Sequence, residues 1–433
     1  MSKLFALFLL LFISLVAPVR ADQEAVLRYA LTGRAQDTLE SLVQRFNDAQ
    51  HGAARVLLQN RQGMNENAQR QLPHMALLDT DDSMAFFLSR PHFKPLYKVM
   101  QESGESFDTR RFFPLISAAV DDDRHRMQAL PMGLSLPVLM WNKAAFRKAG
   151  LDPDLPPKTW QDVQERAASL HKAGVMCPLT SSRFAWIHLE NLSAQHDTPI
   201  LVHQKNGTVQ VELNQLVDIK HIALLASWQK SFYFQYFGPA TEANQKFLSG
   251  ECAMITGESS LYDDAVRSGL VIGTADLPYY DDLRDITPDR LLPGGAALWV
   301  LDGHNREEDR VIAKFVSFLL RPDVQLDWLH GTTFLPMTSA VFSPLKTADS
   351  APVLTESLRR RLSRNSPVRA KHGAGLDRLH GIINEEIATV WANTKPVKEA
   401  LDTAMFRANS GNVPATMLAR LPEQFPVVIT GVP

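Results

Sequence analysis

The sequence predicts an α/β protein of two lobes, each a mainly parallel sheet flanked by helices, joined by a hinge of crossing strands. Three observations predict it. Strand-like runs alternate with helix-like runs along most of the chain, the order that builds a parallel sheet covered by helices. The chain has 433 residues, 45% of them apolar, enough for two or three domains of about 150 residues with their own cores. The apolar, β-prone run Ser135 to Asn142 soon gives way to the proline-rich Leu151 to Pro157, a break in composition where one unit passes into another.

Taken in order, residues 1–21 carry Lys3, an apolar run from Leu4 to Val16, and small residues Val19 and Ala21 on either side of Arg20. That is the pattern of a cleaved secretory signal; the apolar run is short of the roughly 20 residues that span a bilayer. A strand is expected at Ala25 to Leu31, then a helix in which Leu39, Leu42, Val43 and Phe46 recur at the spacing of one face. Strands follow at Arg55 to Leu58 and Met75 to Leu78. The second runs into Asp79-Thr80-Asp81-Asp82, at the strand end where α/β sites lie. In the second unit Thr159 and Asp162 form a capping-box variant, for a helix with Trp160, Val163, Ala167 and Leu170 on one face and Gly174 at its end. A strand at Val175 to Leu179, helices near 185–195 and 215–230, and a strand at Glu251 to Thr256 complete that unit. Gly294 to Val300 begins another strand, followed by a helix with Val311, Ile312, Phe315, Phe318 and Leu319 that Arg321-Pro322 stops. The tail from about Pro344 reads as helical, most strongly at Leu379 to Trp391.

Charge and motifs exclude several functions. The formal charge is −2 and becomes −4 without Lys3 and Arg20 of the leader, which argues against nucleic-acid binding, since that needs a clustered basic surface. Gly133-Leu-Ser135-Leu-Pro137 starts like a nucleophile elbow, but Pro137 stands where the closing glycine belongs. The acidic pairs Asp281-Asp282 and Glu385-Glu386 are the one hint of a secreted carbohydrate hydrolase, the alternative from another class; adjacent acids on polar stretches are commonly a solvated face. No phosphate-binding or dinucleotide glycine loop and no metal-ligand spacing occurs, so neither cofactor nor metal is expected. Cys177 and Cys252 are the two cysteines; in an oxidising compartment they are either one bridge or two separate buried residues. Export, two lobes, a crossing strand and no chemistry together suit a binder that closes on a ligand by bending at its hinge.

Several phrases carry a resemblance: Leu136-Pro-Val-Leu-Met-Trp-Asn-Lys143, Pro156-Pro-Lys-Thr-Trp-Gln-Asp162, Trp186-Ile-His-Leu-Glu-Asn-Leu-Ser-Ala194, Gly250-Glu-Cys-Ala-Met254, Gly294-Gly-Ala-Ala-Leu-Trp-Val300 and Phe334-Leu-Pro-Met-Thr338. In order along the chain they resemble the extracellular solute-binding proteins of ABC importers. The resemblance implies the periplasmic-binding-protein fold, with a first lobe of residues 22–135 plus 290–338 and a second of 136–289 plus 339–433. It implies a monomer in the periplasm that delivers a small solute to permease subunits and their ATPase, with no enzymatic activity. The solute implied is glycerol 3-phosphate or a glycerophosphodiester, or else a neutral sugar or polyol. Residue by residue it implies ligand contacts from Asp81 (or Asp79), Ser135, Ser259 (or Ser260) and Gly295 beside Gly294. The same carry-over reaches Phe334 where the family has a tyrosine, Arg183 where it has a tryptophan, and His372 where it has an arginine, with Arg369 and Lys371 beside it. Arg183 is then either a phosphate-binding cation or a residue of an exposed loop. The resemblance also puts both cysteines on strands of the second lobe, where a bridge forms if those strands are neighbours.

Overall fold

The apolar positions picked out by helical spacing are the ones the fold buries: Leu39, Leu42, Val43 and Phe46 are the buried residues of the helix Gly33–Ala49. The structure, a computed structural model, describes residues 23–31, 33–61, 64, 72–79, 93–122, 124–198, 200–203, 209–283, 290–332, 334–341 and 376–410. Its strands are β1 (Glu24–Tyr29), β2 (Arg55–Asn60), β3 (Met75–Asp79), β4 (Leu130–Ser135), β5 (Pro137–Asn142) and β6 (Cys177–Ser181). They continue as β7 (Leu201–His203), β8 (Val209–Val211), β9 (Phe234–Gln235), β10 (Cys252–Glu258), β11 (Ile272–Asp276) and β12 (Gly294–Val300). The first sheet has the order β2-β1-β3-β12-β4 and the second β11-β5-β10-β6-β9, while β7 and β8 form a separate pair.

Each large sheet is mixed: four of its five strands run the same way, as the mainly parallel expectation has it, and one runs against them. In the first, β1 pairs in parallel with β2 and β3, but β12 lies antiparallel to both β3 and β4. In the second, β6 is parallel to β10 and β9, while β5 is antiparallel to β10 and β11. The cause is connectivity. Four strands of each sheet run toward the junction at Leu136, and the fifth enters from the other sheet and so must run away from it. β12 wedges between β3 and β4, and β5 between β11 and β10.

The run Ser135 to Asn142 is broken at Leu136. Ser259 holds this residue: the Leu136 N–H donates to Ser259 Oγ at 2.9 Å, and the Ser259 N–H donates to the Leu136 carbonyl at 2.7 Å. Both backbone groups of Leu136 are thereby satisfied outside any ladder, and the chain turns from one sheet into the other.

Around the first sheet the core is aromatic and aliphatic. Phe46 meets Phe315 at 5.1 Å and Phe318 at 5.6 Å, joining Gly33–Ala49 to the helix Arg306–Leu319. The stop at Arg321 is as read, but Pro322 opens a new helix at once, Pro322–Gly331, because its missing N–H and fixed φ suit a first turn. In the second lobe the full capping box of Thr159 and Asp162 is present and Trp160, Val163, Ala167 and Leu170 are buried. Cys177 and Cys252 face each other in the β6–β10 register and are disulfide-bonded. The tail helices are Leu376–Trp391 and Val397–Ser410, packed on each other and on Leu216–Lys230.

Candidate functional site

Because the strands of both sheets converge on Leu136, the residues at their inner ends come together. Ser135 closes β4 and is fully buried, and its Oγ lies 3.5 Å from that of Ser259. Gly294 and Gly295 open β12 opposite Ser135 and Leu134. Gly295 has φ +130°, and a Cβ there would run into the Gly133 carbonyl, so only glycine lets β12 lie this close to β4. A Cβ on Gly133 would in turn overlap the Phe334 ring. Phe334 stacks on Trp328 at 6.3 Å and is held in place by the paired backbones of Leu134 and Leu335. Ser135, the glycine pair, Phe334 and Ser259 therefore form one shelf at the hinge. Asp79 ends β3 beside Ala296. Asp81 and His372, with Arg369 and Lys371, lie outside the described residues.

The segment that delivers Gly294 is fastened from the second lobe. The helix Trp186–Asn191 is π-wound, a form often found at functional sites. Trp186 Nε1 donates to the Leu292 carbonyl at 3.1 Å, and the Leu292 N–H donates to Asn191 Oδ1 at 2.8 Å. The five-residue spacing of Trp186 and Asn191 was the signal available in sequence, and helical periodicity of 3.6 does not detect it.

Arg183 is no exposed-loop residue. Ser181, Ser182 and Arg183 are all buried, Arg183 to 8% exposure. Arg183 takes a left-handed backbone with φ +48°, a strained state for a side chain with a Cβ. Its N–H donates to the Ala240 carbonyl at 2.5 Å, and its Nε lies 2.9 Å from Glu258 Oε2. Glu258 immediately precedes Ser259. Sequence reasoning missed this acid, since a glutamate at a strand end is ordinary until its partner is known.

Three of the four acids of the pairs Asp281-Asp282 and Glu385-Glu386 are engaged in ion pairs. Arg407 and Lys395 pair with Glu386 at 2.7 Å each and Arg407 with Glu385 at 2.5 Å, and Lys220 pairs with Asp282 at 2.8 Å. One trio of metal-ligand types meets among the described residues, His74, His304 and Glu308, at the end of the first sheet away from Leu136. It is a poor chelate. His74 Nδ1 accepts the Val26 N–H at 3.0 Å, so its proton sits on Nε2, the atom that would have to bind a metal. The two imidazoles also stack at 4.1 Å and 18°, so their lone pairs run side by side rather than converging.

Two α/β lobes sharing a hinge, with small polar residues and bare backbone gathered there, define the class of two-lobed solute-binding proteins. Comparison with known proteins agrees. Residues 42–353 match the family described as bacterial extracellular solute-binding protein. The sn-glycerol-3-phosphate-binding periplasmic protein UgpB of Escherichia coli K12 is 32% identical over 399 residues, covering 88% of this chain and 90% of that one. The protein of the same name from Yersinia enterocolitica is 34% identical over 336 residues, 75% of this chain and 76% of that one. Among solved structures, UgpB from Mycobacterium tuberculosis in complex with glycerophosphocholine aligns with TM-score 0.67 at 19% identity, over 88% of this chain and 97% of that one. Maltose-bound T. maritima MalE3 aligns with TM-score 0.69 at 16% identity, over 89% and 99%. The chain belongs to the bacterial extracellular solute-binding proteins, the solute-capturing components of ABC importers. No helix among the described residues is long and apolar enough to cross a membrane.

Proposed function

We propose that this protein captures sn-glycerol 3-phosphate or a related glycerophosphodiester between its lobes and delivers it to the importer's permease. In this reading it works in the periplasm as a monomer, exported by a cleaved leader of residues 1–21, and catalyses nothing. The lobes are residues 22–135 plus 290–338 and residues 136–289 plus 339–433. The observation that carries the reading is the hinge shelf: Ser135, Gly295, Phe334 and Ser259, residues far apart in sequence, meet where the sheets join, in a chain whose relatives bear the name of a glycerol-phosphate binder. Backbone with no side chain over it at Gly295 and a buried cation at Arg183 are the kinds of group a phosphate is held by. Asp81 and His372 complete the proposed ligand set. A neutral sugar or polyol is the second reading, favoured by Phe334, which offers an apolar face and no hydroxyl.

Titration calorimetry of the purified protein with sn-glycerol 3-phosphate, glycerophosphocholine and maltose tests this. Saturable 1:1 binding of a glycerol phosphate with unchanged ligand recovered afterwards is expected; binding of maltose alone, or hydrolysis of any of the three, overturns it. Arg183→Ala is expected to weaken the phosphorylated ligand by about 1.5 to 3 kcal/mol, the range for a hydrogen bond to a charged group. It also takes Arg183 from the largely buried Glu258, so the melting temperature falls as well.

A further inference from the structure

Two places where the chain passes between the sheets are built alike. At the first, both backbone groups of Leu136 are bonded to Ser259. At the second, Leu292 is held in the same way. Its N–H donates to Asn191 Oδ1 at 2.8 Å, and its carbonyl accepts from Asn191 Nδ2 at 3.3 Å and from Trp186 Nε1 at 3.1 Å. Asn191 is fully buried and Trp186 is 3% exposed, an interior in which such bonds are strong and costly to break. A further bond ties the clamp together, Asn191 Nδ2 donating to the Trp186 carbonyl at 3.0 Å. The two residues stand at the ends of the π-wound turn Trp186–Asn191, the winding that brings i and i+5 together. Gly294 then enters the first sheet opposite Ser135. Pro293 is thus the one residue between a clamp belonging to the second lobe and a ladder belonging to the first.

We propose that Asn191, helped by Trp186, is a positioning residue: by fixing Leu292 to the second lobe it confines bending at this crossing to Pro293 and Gly294, and so sets where the Gly294–Gly295 backbone stands relative to Ser259 and Arg183. A residue whose N–H and carbonyl are both bonded to one lobe cannot change its torsions without breaking a buried bond. Pro293 has a fixed φ, which leaves its ψ and the torsions of Gly294, a residue with no Cβ to restrict them. Because Gly294 pairs with Ser135, this pivot lies beside the one at Leu136, and the two make a single bending axis. Asn191 faces backbone, not solute. It therefore serves every solute alike, by sparing the bound state the cost of ordering this segment.

Asn191→Ala removes the acceptor of the Leu292 N–H and one donor to its carbonyl; Trp186→Phe keeps a ring and removes only the other donor. In hydrogen exchange read by mass spectrometry, Asn191→Ala is expected to speed exchange in a peptide spanning 290–296, and Trp186→Phe to do so less. Peptides from Gly33–Ala49 and Trp160–Lys172 are expected to stay as in the wild type. Spin labels at Asp37→Cys and Gln164→Cys, exposed positions of the first and second lobes, are expected to give a broader distance distribution in unliganded Asn191→Ala than in wild type. Calorimetry with sn-glycerol 3-phosphate and glycerophosphocholine, an arm that rests on the reading above, is expected to show both weakened by one factor, about tenfold for the loss of such bonds. Unchanged exchange at 290–296, or an unchanged distance distribution, overturns the proposal. So does a loss confined to one of the two solutes, which would make Asn191 a ligand contact. If Asn191→Ala does not fold, Asn191→Asp, which keeps the acceptor and loses the Nδ2 donor, is read against the same outcomes. Failure of the wild type to bind either solute defeats the glycerol-phosphate reading, while exchange and distance still decide this one.

Discussion

The two lobes share a plan and differ in what they bury. Around the first sheet, the aromatic group of Phe46, Phe315 and Phe318 packs with Leu39 and Val311, all 7% exposed or less. In the second lobe a polar chain runs through the core. Thr256 Oγ1 lies 3.1 Å from His188 Nε2, His188 Nδ1 2.8 Å from His221 Nε2, and His221 Nδ1 2.8 Å from the Tyr280 hydroxyl. Trp160 covers the chain, 4.5 Å from the His221 ring. Both histidines are held neutral by burial, His188 with its pKa lowered to about 3 and His221 lowered well below its usual value. An apolar core tolerates pH because it has nothing to titrate. A core of paired polar groups is stable only while every member keeps its protonation state.

The largest expected effect tests whether the second lobe depends on its cross-link. Removing the disulfide by Cys177→Ala with Cys252→Ala opens a loop with a sequence separation of 75, which costs about 4 kcal/mol on the chain-entropy account. Calorimetry should show the second lobe melting earlier with the first unmoved, and a uniform drop of one shared transition would break the comparison. Next, Gly295→Ala strikes the first lobe. Its Cβ meets the Gly133 carbonyl at φ +130°, and the expected loss is about 3 kcal/mol in a denaturant titration, the upper range for a strained backbone site.

Acid should then separate the lobes. The folded pKa of His188, about 3, lies below the unfolded value of 6.5, so the unfolded chain takes the proton first and stability is lost as pH falls below 6.5. The slope is about 1.4 kcal/mol per pH unit for one such histidine, or about 2 kcal/mol at pH 5. His74 of the first lobe shifts the same way from burial, but Glu308 and Asp309 oppose it, so its loss is smaller. Melting curves between pH 7 and 4.5 that move both lobes equally would contradict this. The last effect is alkaline. Burial raises the Asp218 pKa to about 7 from its ordinary 3.8, and Ser193 Oγ donates to it at 2.9 Å. Folding favours its neutral form, so stability is lost as pH rises from 3.8 through 7. Asp218→Asn removes that loss and should raise the stability of the second lobe at pH 8 by up to about 4 kcal/mol, at about 1.4 kcal/mol per pH unit, converging with wild type at pH 4.

Much of this was legible beforehand where the information is local. Helical spacing found the buried face of Gly33–Ala49, and the Thr159–Asp162 pair found a helix start, because both patterns are complete within one or two turns. Ser135, Gly295 and Phe334 were recognisable as members of familiar phrases. Gly133 and Glu258 were not. The first matters only because Phe334 arrives from 201 positions away and presses on it, the second only because Arg183 lies just past the end of the neighbouring strand. The disulfide was an open alternative for the same reason: it required β6 and β10 to be adjacent and in register.

By itself the sequence determined the element types, the two-unit division near Leu136, the family and the residue kinds at the hinge, since propensity, periodicity and phrase order all lie along the chain. The tertiary structure decided the one reversed strand in each sheet, the partner of Arg183, the pairing of the cysteines and the burial of His188 and His221. Each of these depends on which distant segments share a sheet edge or a core, and that follows from chain connectivity through the hinge and from the need to satisfy buried polar groups, neither of which a local pattern records.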